Sequence, residues 1–193
     1  LPETTQELAT VARRLNAGPD NLLLGADASE GRLRAMDQSG DLAQARILHF
    51  ATHGLVTGEL GGLAEPALVL TPPSEASTGD DGLLTASEVS GLHLDAAWVI
   101  LSACNTAAGD KGNAEALSGL ARSFFYAGAR ALLVSHWPVN SAVAVELTTS
   151  AVDRLDLGRA EALRQAMLQQ INAGGARAVP ASWAPFVVIG EGR

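Results

Sequence analysis

ILHFATHG (residues 47–54) and WVILSACNTAAG (residues 98–109) decide how the chain is built. Each is an apolar run that stops at a group able to do chemistry: His53 with Gly54 in the first, and Cys104, the one cysteine of the chain, in the second. Runs that are apolar almost throughout suit strands covered on both faces, the usual condition of a parallel sheet. In such a sheet, ligands and reacting groups gather in the crevice beyond the carboxyl ends of neighbouring strands. The two runs together predict an α/β chain with a cysteine nucleophile and a histidine base brought together at strand ends.

Working outward, ALVL (67–70), RALLVSH (130–136) and PFVVIG (185–190) read in the same way. Asn113 is placed to cap a helix whose Leu117, Leu120, Ala121 and Phe124 share a face, and Gly128 to end it, which completes a βαβ unit. Upstream, Thr4 and Glu7 have the spacing of a capping box, and Leu8, Val11, Ala12 and Leu15 recur as one face of an opening helix. NLLLG (21–25) reads as a short strand, and Ser29 as the N-cap of a helix containing Leu33 and Met36. Downstream, 140–155 and 159–171 read as two more helices, the second with Leu163, Met167 and Ile171 at core spacing. This alternation predicts a three-layer α/β/α fold with a mainly parallel central sheet. TPPSEASTGDDG (71–82) is expected to be a mobile loop, and the glycine-rich stretch 55–65 to pass over the crevice.

A chain of 193 residues, 47% of them hydrophobic, is long enough for one substantial core and short for two, so 1–193 is read as one domain. The net charge of −8 and a pI near 4.9 argue against a directly bound nucleic acid, which needs a basic face. A lone cysteine forms no internal disulfide, and no segment reads as a signal peptide or membrane span. The expected setting is a reducing cytoplasm, with no membrane partner.

A thiol attacks a carbonyl only as thiolate, and its ordinary pKa of about 8.5 leaves a few per cent ionised at neutral pH. An imidazole nearby raises that fraction and later protonates the leaving amine. His53 suits the task because it closes a strand and precedes Gly54, whose backbone is open to close approach and whose amide is available to an oxyanion. Against this stand plainer readings: Cys104 as a small buried hydrophobe, and His53 as a structural histidine. Four residues of strand separate His49 from His53 by roughly 13 Å, too far to share one ion, so no metal site is expected. His49 is read instead as a core-facing histidine held by hydrogen bonds, and His93 as a loop residue without a role. His136 and Trp137 end another strand on the same side and read either as a substrate subsite or as an aromatic lid over the core. Serine-hydrolase elbow, Walker loop and dinucleotide fingerprint are all absent, and no cofactor is expected.

Seven blocks in order, LPETTQE, ILHFATHG, DDGLLTASEV, WVILSACNTAAG, LSGLARSFFYAGARALLVSHWPV, EALRQAM and SWAPFVVIG, make the chain resemble the CHAT family. These are caspase-like and separase-like domains that often occur beside tetratricopeptide repeats. The resemblance implies a caspase-like fold and cysteine endopeptidase chemistry with His53 and Cys104 as the dyad. It also implies an oxyanion hole from the amides of Gly54 and Cys104. Ser102, Asn105, Ser135, His136 and Trp137 are the candidate substrate contacts, and a protein or peptide is the expected substrate. Relatives that cut after Arg or Lys often carry an acidic residue two positions before the nucleophile; Ser102 stands there, leaving Asp37, Asp41, Glu59 or Asp81 as candidate acidic groups. His136 stands where many members carry an apolar residue. The family's usual first strand, ahead of the LPETT block, is expected to be missing. The expected protein is of bacterial type, regulated by an adjoining tetratricopeptide-repeat region or partner. Rival readings are a non-catalytic scaffold that binds signalling partners and a small-molecule thiol hydrolase or acyltransferase.

Overall fold

Successive side chains of a strand point to opposite faces of its sheet, so an apolar strand needs cover on both sides. The chain meets that need with helices. The computed structural model describes residues 2–58, 60–75, 79–102, 114–137 and 139–193, apart from the side chains of residues 2, 3 and 114–118. In chain order run α1 (Pro2–Arg14), α2 (Glu30–Ser39), α3 (Asp41–Gln44), β1 (Ile47–Phe50), β2 (Gly54–Leu55), β3 (Ala67–Val69), β4 (Leu83–Thr85) and α4 (Ala86–Ser90). They are followed by β5 (Trp98–Leu101), α5 (Ala114–Ala127), β6 (Ala131–Ser135), α6 (Ser141–Val152), α7 (Arg159–Ala173), α8 (Pro180–Trp183) and β7 (Phe186–Gly190).

The main sheet has the order β1-β5-β6-β7, with the first three strands parallel and β7 antiparallel. Leu48, Phe50, Val99, Leu101, Leu132 and Val134 face a core closed by Leu33, Leu120, Ala121 and Phe124. Ile47, Trp98, Ile100 and Leu133 face the other core, closed by Val11, Leu147, Leu163 and Ala166. This is the expected three-layer α/β/α arrangement. β5 and β6 are buried along their whole length, whereas β1 is half-buried. β1 is the edge strand, and a groove of ≈ 1290 Å³ runs beside it from Arg46 to His53, lined by α1 and α2 residues and by Leu22, Leu23 and Leu24.

Helix ends follow the sequence signals in several places. Ser29 Oγ accepts from the Arg32 amide at the start of α2, and Asn140 Oδ1 accepts from the Ala142 amide at the start of α6. Gly128 ends α5 at φ 112. Asn113, the expected cap of α5, lies outside the described residues.

Four expectations are corrected. α1 begins at Pro2, a residue suited to the first helical position, so Thr4 lies inside the helix and forms no capping box with Glu7, which is buried at 3% exposure. The capping box stands instead at Thr85 and Glu88, at the start of α4. NLLLG is not a strand: Leu22 and Leu24 are extended but join no strand among the described residues, because 3₁₀ turns at Pro19–Asn21 and Gly25–Asp27 break the segment on both sides. ALVL supplies β3, yet in a separate antiparallel sheet of order β2-β3-β4, since the chain reverses between β2 and β3 and again before β4. The described parts of the 71–82 segment, 71–75 and 79–82, form no helix or strand, as expected, but the far end is fastened: buried Glu30 accepts from the amides of Asp81 (2.8 Å) and Gly82 (2.7 Å). Residues 76–78 lie outside the described residues. Among the described residues no helix is long and apolar enough to cross a membrane.

Candidate functional site

β1, β5 and β6 run in one direction, so their carboxyl ends at Phe50, Leu101 and Ser135 lie along one edge of the sheet. The register pairs Phe50 with Leu101, and the Ser102 amide donates to the Phe50 carbonyl (3.1 Å), which extends the ladder one step beyond β5. His53 follows β1 and is exposed; its carbonyl accepts from the Val69 amide (2.8 Å), while the Thr52 hydroxyl donates to the Val69 carbonyl. Gly54 is buried and pairs with Leu68. The small sheet thus clamps the backbone on both sides of His53 and leaves its ring to solvent. Cys104 and Asn105 lie outside the described residues.

On β6, Ser135 is buried and His136 is exposed, its amide donating to the Pro185 carbonyl (2.9 Å). Trp137 donates from Nε1 to the Ala181 carbonyl (3.1 Å) and keeps 40% exposure, so the ring is tied to α8 with much of its surface in water.

Behind the strand ends lies a buried polar cluster. His49 Nε2 is 2.8 Å from Ser102 Oγ and 3.1 Å from Glu7 Oε1, and the His49 and Glu7 side chains are only 6% and 5% exposed. This bears out the reading of His49 as a core histidine held by hydrogen bonds. Glu7 escaped the sequence reading because a capping role was assigned to it. The signal was present: Glu7 stands one helical turn before Val11 on the apolar face of α1, and a carboxylate on a buried face demands a partner.

Comparison with known proteins places this arrangement. Residues 1–191 match the CHAT domain. The chain belongs to the CHAT domain family. Tetratricopeptide repeat protein 28 of Mus musculus is 28% identical over 226 aligned positions, which cover 99% of this chain and 9% of that protein. Its Homo sapiens namesake is 28% identical over 227 positions, covering 99% of this chain and 8% of the relative. The chain therefore spans less than a tenth of these two mammalian relatives.

Of the acidic groups considered for a basic-residue pocket, the three that are described are engaged locally in this CHAT domain. Asp37 takes the His93 amide (2.7 Å) and stands 3.1 Å from its Nδ1; Asp41 accepts from Ser39 Oγ (2.7 Å); Asp81 accepts from the Leu83 amide (2.9 Å). Glu59 lies outside the described residues. Among the described residues no group of three His, Cys, Asp or Glu side chains is gathered to hold a metal ion.

Proposed function

We propose that this CHAT domain is a cysteine endopeptidase with His53 and Cys104 as its catalytic pair. The observation that carries the reading is the parallel register of β1 and β5: His53 follows one strand, and the segment containing Cys104 follows its immediate neighbour. An exposed imidazole on a clamped backbone is the kind of base that a nucleophile in a shared crevice requires.

In this reaction His53 takes the thiol proton, and the thiolate attacks the carbonyl carbon of the scissile peptide bond. Negative charge passes to the carbonyl oxygen, which the Gly54 and Cys104 amides stabilise. Collapse breaks the C–N bond, and the amine leaves with the proton held by His53. Water, giving a proton to His53, then attacks the thioester; the acid product departs and the thiol is restored. Ser102, Asn105, Ser135, His136 and Trp137 contact the substrate in this reading, and no cofactor takes part. Residues 1–193 are taken as one domain.

Regulation is part of the proposal, because an unrestrained endopeptidase damages the cytoplasm that houses it. An adjoining tetratricopeptide-repeat region is the proposed regulator, in line with the names of the relatives. Segments 55–65 and 71–82 are the proposed places of activation. Those same names favour a second reading, a scaffold that binds partners without hydrolysis. A fluorogenic peptide library separates the two. Turnover abolished by Cys104→Ala, together with labelling of Cys104 by an electrophilic peptide, supports the peptidase. No turnover and no labelling, with or without the repeat region, supports the scaffold.

A further inference from the structure

We propose that Glu7 and His49 are positioning residues for the catalytic pair, acting through Ser102. The inference rests on the peptidase reading and deepens it. Three elements meet in the cluster: α1 supplies Glu7, β1 supplies His49, and the end of β5 supplies Ser102. β1 leads to His53 four residues after His49, and β5 leads to Cys104 two residues after Ser102. The cluster thus ties together the two strand exits whose relative position the reaction depends on.

Its chemistry has a direction. Both the Glu7 carboxylate and the Ser102 hydroxyl lie against Nε2 of His49, at 3.1 and 2.8 Å, and a carboxylate against a bare ring nitrogen would be repelled. The neighbours therefore assign the ring hydrogen to Nε2. Nε2–H donates to Ser102 Oγ, with Glu7 Oε1 as a close negative charge that fixes the tautomer. Ser102 Oγ is then an acceptor from His49, and its own hydrogen is left free to donate elsewhere. His49 Nδ1 and Glu7 Oε1 form no regular hydrogen bond among the described residues. Two imperfectly satisfied polar atoms in a core destabilise the fold, so a purely structural site would be better served by apolar residues.

Cys104 is the only thiol of the chain, so its alkylation by iodoacetamide reads the exit directly. Ser102→Ala and His49→Leu should each slow alkylation at pH 7 about tenfold and lower kcat by a similar factor, with little change in KM for His49→Leu, which touches no substrate. Ser102→Thr, which keeps the hydroxyl, and His49→Gln, which keeps an N–H near Nε2, should restore most of the rate. Nitrogen NMR of wild-type His49 should show the Nε2–H tautomer, and Glu7→Gln should reduce its population. Wild-type alkylation rates in folded Ser102→Ala and His49→Leu, or an Nδ1–H tautomer, would overturn the inference while leaving the peptidase intact. His53→Ala leaving alkylation unchanged, and Cys104→Ala leaving turnover unchanged, would overturn both.

Discussion

Gly128 ends α5 at φ 112, and a Cβ built there would sit 2.0 Å from the Leu94 carbonyl oxygen. Both the backbone conformation and the space require glycine. Gly128→Ala should cost more than the about 1–3 kcal/mol of backbone strain alone, because the Leu94 backbone must also move; the urea midpoint measures it. Glu30 is the other residue with an outsized part. It is fully buried, accepts from two amides of the 79–82 segment, and stands 3.1 Å from Arg34. Glu30→Ala leaves the Asp81 and Gly82 amides without an acceptor, at about 1–3 kcal/mol for each that stays buried. Hydrogen exchange at those two amides should accelerate well beyond the global change, whereas equal acceleration throughout would show that the tie is not local.

Two capping-box signals in this chain had opposite fates. Thr4 and Glu7 have the right spacing, but α1 starts two residues earlier at Pro2, and the carboxylate turns inward to His49. Thr85 and Glu88 have the same spacing and form the box: Glu88 Oε2 accepts from the Thr85 amide at 2.9 Å, and the Glu88 amide reaches Thr85 Oγ1 at 3.4 Å. The spacing alone is equal at both sites; packing of the residues around it decides. For α4, a helix of 5 residues, the cap is a large share of local stability. Thr85→Ala should cost about 1 kcal/mol, read from thermal unfolding, with the loss concentrated in α4 amide protection. A change near zero would mean that burial of Ala86 and Val89 holds α4 without its cap.

At the scale of the molecule, acid stability is set by carboxylates with opposed tendencies. Burial pushes Glu30 above the usual 4.5, against the pull of the Gly82 and Asp81 amides. Its folded form holds a proton to higher pH than the unfolded chain does, so its contribution to stability grows as pH falls toward 4.5. Glu146 is held below 4.5 by hydrogen bonds from Arg177, and Glu161 is lowered to about 2 by hydrogen bonds from Arg164. Their contributions are complete above 4.5 and are lost as pH falls through the folded values. Stability should therefore decline between pH 4.5 and 2. Arg177, bonded to Glu146 at 2.6 and 2.7 Å, ties the segment after α7 back to α6. Arg177→Ala should flatten part of that acid decline in denaturant titrations, and an unchanged slope would remove Glu146 from the account.

The sequence by itself determined the layers, because apolar runs and 3.6-residue periodicity are local properties that any neighbour of the right shape satisfies. ILHFATHG, WVILSACNTAAG and RALLVSH could be recognised as strands, and the Ser29, Asn140 and Gly128 signals as helix ends, from composition and spacing alone. His53 and the strand run leading to Cys104 were legible for the same reason: a parallel sheet sends its strand ends to one edge. Only the tertiary structure decided where ALVL pairs and that NLLLG joins no strand among the described residues, since a strand's partner lies far along the chain and its backbone donors carry no address. Glu7 was likewise beyond the sequence. A carboxylate on an apolar face announces that it needs a partner, but that the partner is His49, and through it Ser102, depends on how α1 crosses the sheet.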